Sequence, residues 1–274
     1  MLVRRLALAM CGTTAALLAA AALATQEDPS LERLEKSPRH HEWVQVETAA
    51  GRTVRAFLVF PEVDRPADSV VVIHENRGLT DWVRSVADQL AEMGYLAIAP
   101  DLLSQMGPDK GGTESFTDGD AARAALYELS DEQILADLDA TVAFVRKHAA
   151  STERVSVAGF CWGGSQTFRY ATHQPQIAAA FVFYGSAPAD AAELGRITAP
   201  VYGFFGGNDF RITSQVPAVT EAMEEAGKRF EPVVYPEAGH GFVRTGELSN
   251  AREADRRAAT AAWERWKAIL AAGE

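Results

Sequence analysis

Apolar and polar positions alternate with a period of two early in the chain and regroup into continuous runs further on. Residues 43–48 and 54–60 alternate, with Ala50-Gly51-Arg52 between them, which predicts an antiparallel hairpin. Ser69-Val70-Val71-Val72-Ile73-His74 is apolar almost throughout, as expected of a strand covered on both faces. Residues 81–93 carry helical spacing and stop at Gly94; residues 95–99 read as the next strand, stopped by Pro100. Ser130-Asp131-Glu132-Gln133 opens a predicted helix reaching residue 149, with its acids suited to the N-terminal dipole. Runs at 155–158, 178–184, 201–205 and 232–235 read as further strands. Residues 247–272 form a closing helix with core spacing at Ala259, Ala262, Trp266 and Ile269. Strands that alternate with helices predict an α/β fold: a mostly parallel central sheet, helices on both faces, right-handed crossovers and an N-terminal antiparallel hairpin. Residues 102–120 are rich in Gly, Asp and Pro, form the longest irregular stretch, and lie where a binding loop is expected.

The first residues break this pattern. Arg4 and Arg5 precede an apolar, Ala-rich stretch from residue 6 to 23, and Ala22-Leu23-Ala24 has the form of a cleavage site. Residues 1–24 therefore read as a signal peptide, residues 25–42 as a polar leader with one short helix, and residues 43–274 as a single domain. The expected location is periplasmic or secreted, without stable membrane association after cleavage. The remaining chain of about 250 residues is long enough for one α/β core. The net charge of −11 becomes two units more negative when Arg4 and Arg5 leave, and no basic stripe is present. Nucleic acid and anionic membranes are thus poor partners. No apolar stripe is left unassigned, so a monomer is expected.

Of the two cysteines, Cys11 lies in the signal segment, which leaves Cys161 without an internal disulfide partner. Cys161 sits in Gly159-Phe160-Cys161-Trp162-Gly163-Gly164, directly after an apolar strand. A strand that runs into Gly-x-nucleophile-x-Gly and then a helix is the nucleophile elbow of the α/β-hydrolase fold, here with Cys in place of Ser. A Cys nucleophile needs a base and a group that orients the base. Asp209, in Gly206-Gly207-Asn208-Asp209, and His240, in Ala238-Gly239-His240-Gly241-Phe242, follow two later strands in the order nucleophile, acid, histidine. Alone, Asp209 reads as a turn residue, His240 as a surface or core imidazole and Cys161 as inert packing; the order and placement of all three favour a triad. The oxyanion hole should use the backbone N–H of Trp162 and that of Asn76. His74-Glu75-Asn76-Arg77 lacks the second histidine of a helical zinc motif, and the sequence calls for no metal and no cofactor.

These motifs resemble the dienelactone hydrolase (carboxymethylenebutenolidase) family from about residue 43 to the C-terminus, and His74-Glu75-Asn76-Arg77-Gly78 fits as well. The resemblance implies hydrolysis of a small ester or lactone through a Cys-His-Asp triad and a thioester acyl-enzyme. It implies that Glu75 contacts the resting thiol and is displaced when substrate binds; an ordinary surface ion pair of Glu75 with Arg77 is the alternative. It implies two arginines for a substrate carboxylate. One matches Arg244; the place of the other, counted from Asp101, is taken by Gln105, and Arg77 is the candidate substitute. Trp162, Tyr184 and Phe210 are candidates for the acyl pocket. A broad carboxylesterase that needs no substrate carboxylate, a noncatalytic ligand-binding protein on the same scaffold and a peroxidatic thiol protein stay open as alternatives.

Overall fold

The computed structural model describes residues 28–273. The signal-peptide assignment to residues 1–24 lies outside these residues. In chain order the elements are α1 (Ser30–Lys36), β1 (His41–Glu47), β2 (Thr53–Val59), β3 (Ala67–Ile73), α2 (Asp81–Glu92), β4 (Leu96–Pro100), α3 (Gly119–Tyr127), α4 (Asp131–Arg146) and β5 (Ser151–Phe160). There follow α5 (Trp162–His173), β6 (Ala180–Phe183), α6 (Ala191–Leu194), β7 (Val201–Gly206), α7 (Phe210–Thr213), α8 (Val216–Glu225), β8 (Phe230–Tyr235), α9 (Phe242–Thr245) and α10 (Glu253–Ala272).

The eight strands form one sheet in the order β1-β2-β4-β3-β5-β6-β7-β8. β2 pairs antiparallel with both β1 and β4, and every other pairing is parallel. The predicted hairpin is therefore present, and its second strand alone runs against the rest. Alternate side chains of the central strands enter two cores. Val71 and Ile73 of β3 and Val155 and Val157 of β5 meet Leu138 and Val142 of α4 and Phe168 of α5. Val70, Val72, Ala158 and Phe160 face Val83, Val86 and Leu90 of α2 and Trp266 of α10 on the other side. Burial on both faces is why these strands read as unbroken apolar runs.

Three regions differ from the sequence expectation. The stretch 102–120 contains two 3₁₀ turns and then enters α3 at Gly119, capped by Asp118, which accepts from the N–H groups of Asp120 and Ala121. Its turn-forming composition hides the start of a helix because Asp and Gly favour helix ends as well as loops. The closing helix starts later than expected, at Glu253, and is preceded by α9, a short turn after His240. Finally, the segment read as a polar leader is docked. Leu34 of α1 is buried, and Arg33 donates to Ser85 Oγ and Glu247 Oε2. Arg39 grips the fully buried Asp88 with two hydrogen bonds of 2.9 and 2.7 Å, joined by Ser37 Oγ and His41 Nε2.

Candidate active site

Every residue proposed for chemistry lies just past the C-terminal end of a parallel strand, where sites in open α/β sheets collect. Cys161 follows β5 with φ 56° and ψ −115°. A positive φ at a non-glycine residue costs roughly 1–3 kcal/mol and persists only where the surroundings impose it. Here they do. A Cβ on Gly159 would lie 2.1 Å from the Gly163 carbonyl oxygen, and one on Gly163 would lie 2.4 Å from the carbonyl oxygens of both Ile73 and His74. The two glycines let the first turn of α5 press against β5 and the end of β3, and the elbow lifts the thiol to the N-terminus of α5.

The loops after β7 and β8 bring the other two groups together. A Cβ on Gly206 would lie 2.6 Å from Gly239 O, so only glycine lets these loops close. Asn208 N–H donates to Ala238 O at 2.9 Å, and Gly239 N–H donates to Asp255 Oδ1 of α10 at 2.8 Å. In this frame His240 Nδ1 is 2.5 Å from Asp209 Oδ2, and His240 Nε2 is 3.0 Å from Cys161 Sγ. Burial opposes a charge on His240, but the hydrogen bonds to Cys161 and Asp209 and their negative charge outweigh it, raising its pKa to about 9. The ring of Tyr184, itself at φ 41°, meets the imidazole edge-on at 5.2 Å between centroids.

On the other side of Cys161, the loop after β3 is fixed by His74. Leu102 N–H donates to His74 Nε2 at 3.2 Å, so the proton sits on Nδ1, which donates to Glu75 O at 2.8 Å. Burial pushes the pKa of His74 down, against the pull of Asp101, and the ring stays neutral. His74 stacks on Trp162 at 5.7 Å. The loop is tied a second time by Thr113, which accepts from Leu79 N–H and donates to Asp101 Oδ1.

A cavity of about 780 Å³ opens above these loops, lined by Cys161, His240, Glu75, Asn76, Trp162 and Tyr184 among others. The Glu75 carboxylate takes Arg244 Nε at 2.8 Å, with the Glu75 side chain only 12% exposed. Burial works against the Arg244 charge, and Glu75 more than restores it.

The sequence pattern of the dienelactone hydrolase family matches residues 54–272. The chain belongs to the dienelactone hydrolase family. A protein of Methylorubrum extorquens assigned as a carboxymethylenebutenolidase is 33% identical over 201 residues, 69% of this chain and 68% of that one. A Bradyrhizobium protein assigned as a 2-oxo-3-(5-oxofuran-2-ylidene)propanoate lactonase is 30% identical over 216 residues, 73% of this chain and 83% of that one. The crystal structure of a Klebsiella pneumoniae protein assigned as a dienelactone hydrolase superposes with a TM-score of 0.75 at 29% identity, covering 85% of this chain and 98% of that one.

Within this dienelactone hydrolase frame, the site departs from the sequence expectation at three points. Glu75 holds neither the thiol nor Arg77: its partner is Arg244, and the thiol is bonded by His240. Arg77 instead leans on the first turn of α3, where a Cβ on Gly119 would lie 3.2 Å from its Cδ. Gln105 is exposed, at φ 63°, and does not line the cavity. The cause is Asp101, whose buried carboxylate accepts from Leu103 N–H and Thr113 N–H and turns the chain tightly after β4, which carries residue 105 outward. Phe210 is also outside the cavity and 74% exposed, whereas Trp162 and Tyr184 line it. The sequence reading passed over Arg123 of α3 and Arg211 of α7, both on the cavity wall. Neither has a motif; Arg123 lies just past the stretch read as loop, in a segment for which no element was predicted. Among the described residues no group of three or more His, Cys, Asp or Glu side chains is arranged to hold a metal.

Proposed function

We propose that this protein hydrolyses a small ester or lactone, with Cys161 as nucleophile and a thioester intermediate. The observation that carries the reading is the unbroken relay from Cys161 Sγ to His240 Nε2 at 3.0 Å and from His240 Nδ1 to Asp209 Oδ2 at 2.5 Å. The His240 pKa, raised to about 9, suits the imidazole to hold the proton that Cys161 gives up on attack.

The thiolate attacks the acyl carbon. The C–S bond forms, and the carbonyl electron pair moves onto oxygen. Trp162 is the first residue of α5, so its N–H has no acceptor within the helix and is free for that oxyanion; Asn76 N–H is the second donor. Collapse breaks the acyl C–O bond while His240 Nε2 gives its proton to the leaving oxygen. Neutral His240 then takes a proton from water, whose oxygen attacks the thioester. A second collapse expels the thiolate and frees the acid. Glu75 and a substrate carboxylate are rivals for Arg244, so an anionic substrate trades one ion pair for another there. The lactonase assignment of the Bradyrhizobium relative, a lactone that carries a propanoate, agrees with an acid-bearing substrate. Export rests on the sequence of residues 1–24 alone.

The test is turnover of p-nitrophenyl esters and of lactones with and without a carboxylate. Cys161→Ala is expected to keep the fold and lose turnover by at least 10³-fold, as loss of a nucleophile does elsewhere. Wild-type esterase activity in that variant would contradict the assignment.

A further inference from the structure

The chain is strongly acidic, with 37 Asp and Glu against 26 Lys and Arg, yet the cavity is not. Its two acids outside the triad are both spoken for, Glu75 by Arg244 and Asp131 by Arg169. Three guanidinium groups on its wall, Arg77, Arg123 and Arg211, make no ion pair among the described residues.

Arg77 and Arg123 are also neighbours. The Arg77 side chain lies over Gly119, whose added Cβ would meet its Cδ, Nε and Cγ at 3.2–3.6 Å. Arg123 is four residues further along α3, and positions i and i+4 share one helix face about 6 Å apart. The same face continues through Leu126 and Tyr127, which also line the cavity, and Arg123 Cζ sits 5.7 Å from the Tyr127 ring. Asp118, the acid closest in sequence, caps α3 by accepting from the N–H groups of Asp120 and Ala121. Two like charges held side by side repel each other, and an anion between them reverses the sign of the interaction.

This pair is separate from Arg244. Arg77 is rooted after β3 and Arg123 on the segment between β4 and β5, all on one side of β5 in the sheet. Arg244 follows β8, on the other side, and sits by the His240 loop, where an added Cβ on Gly241 would be 3.6 Å from its Nη2. β5, which ends before Cys161, lies between β3 and β8 in the sheet, and Arg244 reaches from the β8 side as far as Glu75 at 2.8 Å. A cavity of about 780 Å³ has room for a substrate that reaches both.

We propose that Arg77 and Arg123 form a second anion subsite, so that the preferred substrate is an ester or lactone with a carboxylate or phosphate on each side of the scissile bond. This rests on the hydrolase reading above. Leu126 and Tyr127 pack the carbon chain between the second anion and the bond that breaks.

The test uses four nitrophenyl esters: uncharged, charged on the acyl half, charged on the nitrophenol half, and charged on both. Rates are corrected for spontaneous hydrolysis. A phosphate-bearing phenol replaces the carboxylate-bearing one in a parallel arm and tells which anion the subsite prefers. The doubly charged ester should exceed either singly charged one in kcat/KM by at least tenfold, with the advantage shrinking as ionic strength rises. Arg123→Gln should cut that ratio about tenfold, mostly through KM, and Arg123→Lys should restore part of it. A doubly charged ester cleaved no faster than the singly charged ones overturns the proposal, as does an Arg123→Gln variant that lowers all four esters alike. Turnover of the uncharged ester that disappears with Cys161→Ala keeps the hydrolase reading intact in either case, so the two failures are distinguishable.

Discussion

Three local conditions support the proposed role of Cys161: it stands on a strained elbow, at the N-terminus of α5, with His240 Nε2 3.0 Å from its Sγ. The His240 pKa of about 9 gives the pH behaviour a sign. In the proposed mechanism the imidazolium protonates the leaving oxygen, so kcat/KM should fall as pH rises through about 9. Removing the Asp209 charge weakens what holds that proton. Asp209→Asn is therefore expected to move the alkaline limb to lower pH and to cut kcat roughly 10³–10⁴-fold, a loss comparable with that in serine triads. A pH–rate profile in which the limb stays fixed would contradict this role for Asp209. The same shift bears on stability. A raised folded-state pKa contributes stability below the unfolded value of about 6.5 and loses it as pH rises through about 9. Thermal unfolding should accordingly show the gap between wild type and His240→Gln narrowing over that interval. The convergence of Cys161, His240 and Asp209 was legible in the sequence because each follows an apolar strand and stands among glycines. Glu75–Arg244 was not, because a contact across 169 residues leaves no local pattern.

At the scale of elements, the site is held by backbone packing at glycines. Gly163→Ala would push a Cβ to 2.4 Å from two carbonyl oxygens of the β3 end, neither of which can step aside. A loss of about 3 kcal/mol or more is expected, read by chemical denaturation, with turnover falling further because Asn76 and Trp162 would move apart. An unchanged midpoint would mean that the elbow is looser than the packing indicates. The mostly parallel sheet and the helices on both of its faces were legible because the central strands read as continuous apolar runs; the order of the strands was not. What the sequence concealed was α3: Gly119 and the Asp118 cap look like loop, and with them Arg123 was lost to the reading. His74 was hidden for another reason. Its role is to be neutral and bonded at both nitrogens, and only its buried surroundings, which pair it with Leu102 and Glu75, make it so.

Over the whole molecule, the segment before the sheet is part of the fold. Asp88 is fully buried, and Arg39 supplies its counter-charge from outside α2. Burial alone would raise the Asp88 pKa, but the hydrogen bonds from Arg39, Ser37 and His41 outweigh that and hold it below the usual value. Arg39→Ala should destabilise the protein by about 3 kcal/mol, because it leaves a buried carboxylate half-satisfied. A depressed folded-state pKa contributes stability above the unfolded value near 3.9 and loses it as pH falls, so the deficit should shrink below about pH 4. Composition pointed to a polar leader because it counts polar residues without seeing that Arg39 and His41 converge on one carboxylate. Cys161 is the one thiol among the described residues, and on the proposed reading the arginines of the cavity wall draw anionic substrates to it through an otherwise acidic surface. The most direct test is to quench the enzyme in acid during turnover of a slow ester and locate the acyl group by peptide mass spectrometry. The account predicts a thioester on Cys161 that is released by hydroxylamine and is absent from Cys161→Ala; ester turnover with no acyl group on Cys161, or with the label on another residue, would contradict it.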